Sequence, residues 1–286
     1  MMPDIKIIVC YHKPGKYISN EVYVPVHVGK ATSKYNLPIQ GDNEGENISS
    51  LNYTYCELTG LYWAWKNIKA DYIGLCHYRR FFTFKNSSFC CAVHGIYTRI
   101  RNVAESFSRF PKSFSNINEV IVKDEQDLIR KVFKDSDKIK EYLGKHPDIK
   151  IIALTPINIG LNNNKTFFSM VAGRHHVEIV KNIVQSKYPS ISPFLEFTLS
   201  SNLLHLGNMT ICHNSVFNDY CNFLFSVLET YRKTLIDEGW YIDYSEKSIS
   251  RVSGYMAEIL TSVFINYIQA KEGKKSIKLL PLLRVV

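Results

Sequence analysis

Residues 71–82 read "DYIGLCHYRRFF". The apolar run Tyr72–Cys76 is short and continuous, as in a strand buried on both faces of a parallel sheet. It breaks abruptly into His77, Tyr78, Arg79 and Arg80. The C-terminal ends of strands in open α/β sheets are where ligands bind. This strand therefore predicts an α/β fold with a basic ligand site at one sheet edge.

The flanking sequence fits. Ile5–Tyr11 is a second continuous apolar run, ending in "YHKPGK". Residues 21–28 are rich in Val and Tyr, with Pro25 marking an edge or a break. "SLNYTYCELTGLYWAWKN" carries Leu51, Tyr55, Leu58, Tyr62 and Trp65 at helical spacing, with Ser49, Ser50 or a Thr54–Glu57 capping box to start it. Further helices are expected over 124–143, "GRHHVEIVKNIVQSKYP", "SPFLEFTLSSNLLH", "SVFNDYCNFLFSVLETYRKTLI" and "ISRVSGYMAEILTSVFINYIQ". "DIKIIALTP" and "LGNMTICH" read as strands. Strands alternating with helices predict one α/β domain over 1–286 with a mainly parallel sheet. Residues 1–84 would form its ligand-binding half, 85–120 an irregular or partly helical insertion, and 121–286 the second half. The tail "KKSIKLLPLLRVV" reads as a strand in preference to a membrane-surface helix, because Pro281 interrupts any helix.

A hydrophobic content of 45% with 21% charged residues is that of a soluble globular protein. The formal net charge of +9 suits an anionic ligand, an anionic membrane or nucleic acid. Without a block of five basic residues or a nucleic-acid signature, nucleic acid is the weaker choice. Seven cysteines without a CxxC pair fit a reduced, cytoplasmic protein. Cys90, Cys91 and His94 lie close together but lack a fourth ligand at metal-site spacing. The N-terminus has no signal-peptide shape, and no run of about 18 apolar residues predicts a membrane span.

Several groups could carry chemistry. His12 and Lys13 follow the first strand, where they could hold a nucleotide or form a turn with Pro14 and Gly15. The sequence has neither GxGxxG nor a Walker-type loop. Asp42, Asn43, Asn47 and Asn52 belong to a Gly-rich loop that could bond a base or ribose, or cap its own backbone. Asp135-Ser136-Asp137 is the one Asp-x-Asp string. It lies in a helix of alternating charge and reads as a solvated face. His175 and Glu178 share a helix face, as an acid/base pair or as a helix start. Glu258 lies in an apolar helix, with Arg251 two turns earlier as an ion-pair partner.

Taken together, "GDN.G.NIS..N..Y.ELT.LYWAWKN" and "D.IGL.HYRRFF" resemble a family known only as a domain of unknown function. It occurs in bacterial capsular and exopolysaccharide biosynthesis loci and is grouped with GT-A glycosyltransferases. "GRHHVE", "GNMTICHNSVFNDYCNFLF" and "RVSGYMAEIL" resemble its C-terminal blocks, so the likeness covers nearly the whole chain. It implies a GT-A fold that moves a sugar from a UDP-sugar to a glycan, with galactofuranose as a candidate sugar. The acceptor would ride on a polyprenyl diphosphate lipid at the inner membrane face.

GT-A enzymes commonly end a central strand in Asp-x-Asp, whose carboxylates hold Mg²⁺ or Mn²⁺ on the diphosphate. Here His77-Tyr78-Arg79-Arg80 stands at that place. Guanidinium forks bind phosphate oxygens directly, so no metal cofactor is expected. In a strand the two arginines would face opposite ways, leaving one, with His77, at the ligand. The nucleotide and diphosphate set is then Tyr11, His12, Lys13, Asp42, Asn47, Asn52, Glu57, His77, Tyr78, Arg79 and Arg80. His175, His176, Asn208 and Arg251 fall on the acceptor side. The candidates for the catalytic base are Glu178, then Glu258, then Asp42. The rival readings are a metal-dependent sugar or sugar-phosphate transferase and a non-enzymatic polyanion or glycan binder.

Overall fold

The computed structural model describes residues 2–84, 100–104, 119–240 and 251–285. Most of the 85–120 stretch, with Cys90, Cys91 and His94, lies outside them. Strands β1 (Ile5–Tyr11), β2 (Tyr23–His27), β3 (Gln40–Gly41), β4 (Tyr72–His77), β5 (Arg80–Phe82) and β6 (Val120–Val122) come first. They are followed by β7 (Ile151–Leu154), β8 (Ile157–Asn158), β9 (Leu203–Leu204), β10 (Thr210–His213), β11 (Ile277–Leu280) and β12 (Leu282–Val285). The main sheet runs β11-β7-β10-β4-β1-β2-β3, with β5, β12 and β6 attached beside β4. β1 is parallel to both β2 and β4, and β7 to β11. β10 alone on that path is reversed against its neighbours. The fold is thus α/β with a mostly parallel central sheet flanked by helices.

The continuous apolar runs have a simple cause. β1 lies between two strands and under helices on both faces, so its alternate residues enter two different cores. Ile8 and Cys10 pack with the helices Leu58–Asn67, Arg174–Lys187, Asn214–Asp237 and Val252–Glu272. Ile5, Ile7, Val9 and Tyr11 pack on the other face, against helix Glu125–Lys145. Burying each such side chain stabilises the fold by roughly 1.5–3 kcal/mol. At the centre of β4, a Cβ on Gly74 would stand 2.7 Å from the Thr210 carbonyl oxygen. Any larger residue there would push β4 off β10.

Four expectations change. The amphipathic helix expected over residues 51–67 is broken. Asn52–Tyr55 and Leu58–Asn67 are separate helices, and Cys56 between them has φ 51°. The Asn52 side chain holds the break by donating to the Cys56 carbonyl at 2.6 Å and to Thr59 at 2.9 Å. Thr54 bonds back to Leu51, so no Thr54–Glu57 capping box forms. The helix starting at Ser192 ends at Ser200, and Leu203–Leu204 instead pairs with β8. The tail, by contrast, is extended as expected, in two strands divided at Pro281. Asp135 is buried, accepting from Thr83 at 2.5 Å and Lys138 at 3.1 Å, while Asp137 is exposed on another side of the helix. The Asp-x-Asp string therefore helps dock its helix to the end of β5. It does not form a solvated face. Among the described residues no helix is long and apolar enough to cross a membrane.

Candidate active site

Because β1, β2 and β4 are parallel, their C-terminal ends share one edge of the sheet. That edge carries His12, Val28 and the segment His77–Arg80. Reversal of β10 brings the loop before it, with Gly207 and Asn208, to the same edge. The helix Val252–Glu272 starts there with Arg251, and β12 passes with Arg284 opposite Arg80. These segments enclose a cavity of about 790 Å³. Its wall includes His12, Asn52, Glu57, Arg80, Arg251 and Glu258.

The basic side is wider than a single strand end would allow. β4 stops at His77, Tyr78 and Arg79 form a turn, and Arg80 opens β5 antiparallel to β4. The turn cancels strand alternation, so Arg79 and Arg80 both line the cavity. A Cβ placed on Gly207 would lie 3.6 Å from His77 Nε2 and 3.8 Å from an Arg80 guanidinium nitrogen. Arg284 joins them, with its Nε donating to Glu119. Arg79, Arg80 and Arg251 have no carboxylate partner among the described residues. His12 feels this crowding. Burial lowers its pKa first, and Lys13, Arg251, His77 and Arg79 lower it further.

Two carboxylates face these cations. Glu258 accepts from the Gly207 N–H at 2.8 Å. Burial raises its pKa to about 7, aided by Glu57 and opposed by the Gly207 N–H, Arg80 and Arg251. The expected Arg251–Glu258 ion pair does not form; the carboxylate is turned to Gly207. The Gly207 carbonyl lies 2.8 Å from His77 Nε2, so that nitrogen carries the proton and donates. One residue, Gly207, thus ties the strand-end histidine to the buried acid through its N–H and its carbonyl. Glu57 accepts from Asn208 Nδ2 at 2.8 Å, and Thr261 donates to Asn208 Oδ1 at 3.2 Å. Asn208 has φ 54° and Cys56, next to Glu57, has φ 51°. Left-handed backbone at non-glycine residues is costly and clusters at functional sites. Here both outliers flank the same carboxylate.

Of the residues singled out in the sequence, the cavity gathers His12, Asn52, Glu57, His77, Tyr78, Arg79, Arg80, Arg251 and Glu258. Asn208 acts behind it, through Glu57. The others stand apart. Asp42 is fully buried and accepts from the Gly29 and Lys30 N–H groups at 2.8 and 3.1 Å and from the Ser49 hydroxyl. It builds the loop and does not line the cavity. Asp42→Ala would leave those donors unsatisfied, and an unfolding titration should show a loss of roughly 2–4 kcal/mol. Retained stability would show that the loop rebuilds its bonds. Asn47 bonds Gly45 and Ser49 within the same loop.

Glu178 is half exposed and paired with Lys165 at 2.8 Å, which lowers its pKa. It does not pair with His175, whose partner is Glu238, and it does not line the cavity. His175 stacks on Trp240 and bonds Glu238 at 2.5 Å, and His176 bonds Tyr231 at 2.7 Å. Tyr11 and Lys13 open onto a smaller neighbouring cavity. Tyr53, Cys56, Gly207 and Arg284 are cavity residues that the sequence did not single out. For Arg284 the only signal was the basic tail. Among the described residues no group of three or more His, Cys, Asp or Glu is placed to hold a metal ion.

Comparison with known proteins agrees with this architecture. One solved structure, a WbbM bifunctional glycosyltransferase without ligand, superimposes with a TM-score of 0.79 at 25% identity. The match covers 99% of this chain and 45% of that one, so the chain spans less than half of its relative's length. No curated protein matches the chain. A family described as a domain of unknown function, DUF4422, matches residues 6–271, and the chain belongs to that family.

Proposed function

We propose that the chain is a glycosyltransferase that moves a sugar from a UDP-sugar to a hydroxyl of a glycan. The observation that carries this reading is the convergence of Arg79, Arg80, Arg251 and Arg284 on one cavity that also holds Glu57 and Glu258. Arg79, Arg80 and Arg251 have no carboxylate partner among the described residues, so the cluster keeps positive charge to spare, and a diphosphate matches several guanidinium forks at once. The nucleoside then lies toward His12, Val28, Asn52 and Tyr53. The structural likeness to a bifunctional glycosyltransferase supports the same reaction class.

In this reading the bond between the anomeric carbon and the diphosphate oxygen breaks. The electron pair leaves with UDP, where the arginines stabilise it as it forms. The acceptor oxygen bonds to the anomeric carbon, and its proton passes to Glu258. A base with a pKa near 7 is matched to neutral pH. Because side chains supply the counter-charge, the reaction would need no divalent cation. Galactofuranose remains the candidate sugar on the strength of the family resemblance.

Thermal unfolding with nucleotides tests the donor site. Ligand at 100 times its Kd stabilises the native state by about 2.7 kcal/mol, a rise of about 4–5 °C in Tm for a chain of this size. UDP and at least one UDP-sugar should produce it with EDTA present, and the UDP-sugar should be turned over with a glycan acceptor. Absence of any shift, with tight salt-dependent RNA binding instead, would overturn the reading in favour of a polyanion binder.

A further inference from the structure

The smaller cavity beside the candidate active site has a charge pattern that the donor does not explain. It has a volume of about 360 Å³ and is lined by Tyr11, the loop Lys13–Lys16, Tyr78, Arg79, Lys123, Glu125 and Val285. Tyr78, Arg79 and Val285 also line the larger cavity, so the two share a wall. Four of the lining residues are cations: Lys13, Lys16, Arg79 and Lys123. The one acid, Glu125, pairs with Lys16 at 3.6 Å. Lys13, Arg79 and Lys123 have no carboxylate partner among the described residues. Lys13 and Arg79 both lie over the Tyr78 ring, 5.5 and 5.2 Å from its centroid. The ring therefore holds two cations near each other without neutralising either.

We infer that this side cavity binds an oxyanion carried by the acceptor, distinct from the diphosphate of the donor. The inference rests on the glycosyltransferase reading and adds the chemical class of the second substrate. The larger cavity, at about 790 Å³, is near the upper end of small-molecule and cofactor pockets, roughly 300–1,000 Å³, and has room for the donor by itself. The donor does not need the annexe. Three unpaired cations around a small space are relieved by an anion of phosphate, diphosphate or carboxylate size. Arg79 stands on both walls and can screen that anion from the donor diphosphate. An acceptor anchored there presents its hydroxyl side to the cavity that holds Glu258. Two sources fit the chemistry: a lipid-linked diphosphate or a uronic acid in the glycan.

Calorimetric titration of UDP-saturated protein decides between them and tests the site. Pyrophosphate and glucuronate serve as the probes. At least one should bind with UDP already in place, pyrophosphate for a diphosphate acceptor and glucuronate for a uronic acid. Lys13→Ala combined with Lys123→Ala should weaken that binding at least tenfold. UDP affinity should stay within twofold, and Tm should not move, because both side chains are exposed. Failure of both probes to bind beside UDP would overturn the inference. So would equal weakening of UDP by the lysine changes, which would give the side cavity to the donor. If UDP itself does not bind but lysine-dependent pyrophosphate binding persists, the donor reading fails and the anion site stands.

Discussion

Glu258→Gln is expected to cut sugar transfer by about 10²–10⁴ while UDP still binds and the fold gains stability above neutral pH. The amide keeps an oxygen for the Gly207 N–H but cannot take a proton from the acceptor. In the wild type, transfer should rise with pH through about 7, as Glu258 ionises. The stability effect has the opposite sense. The folded pKa is raised above the ordinary 4.5, so the folded chain holds this proton more tightly than the unfolded chain. Stability is fully present below the unfolded value and is lost as pH rises through the folded one. The loss is at most about 3 kcal/mol, at 1.36 kcal/mol for each tenfold change in proton affinity. The Glu258→Gln variant should escape it, so its Tm should exceed that of the wild type at pH 8 and match it near pH 4. Glu178→Gln serves as the contrast. Its carboxylate pairs with Lys165 outside the cavity, so near-normal turnover is expected. If the Glu258→Gln variant keeps wild-type turnover instead, the base is elsewhere, and Glu57, held by Asn208, becomes the first residue to test.

The fate of these acids shows what can be read from a chain. Glu258 is legible because an acid in an apolar helix must find a polar partner. Which partner it finds is not legible: Gly207 is 51 residues away and arrives through the reversal of β10. Glu178 attracts attention through its spacing from His175, yet i, i+3 spacing fixes only a shared helix face, and that face does not look into the cavity. Asp42 sits in a loop whose composition suits ligand binding and loop building equally, and burial assigns it to the second. β1 and β4 are legible because burial on both faces demands unbroken apolar runs. The break at Cys56 is not, since hydrophobic periodicity continues across it and only the Asn52 bonds reveal it. Arg284 reaches Arg80 across most of the length of the chain, and no local pattern encodes that pairing.

Arg80→Ala is expected to lower turnover and UDP affinity without loosening the fold. A charge-assisted hydrogen bond contributes roughly 1.5–3 kcal/mol, which is about one to two decades in rate. With Arg79→Ala added, the loss should grow, although not additively, because neighbouring guanidinium groups share one ligand. Both side chains are exposed and neither has a carboxylate partner among the described residues, so Tm without ligand should be unchanged. Arg80→Lys should rescue only in part, because it restores charge without the planar fork. The wild type should keep its activity in EDTA, since the arginines supply the charge that a cation would otherwise bring. Abolition by EDTA with recovery on adding Mn²⁺ would put a metal on the diphosphate and leave the arginines a supporting role. A collapse of cooperative melting in the Ala variants would mean that they hold the β4–β5 turn, and the phosphate would then have to be sought at Arg251 and Arg284.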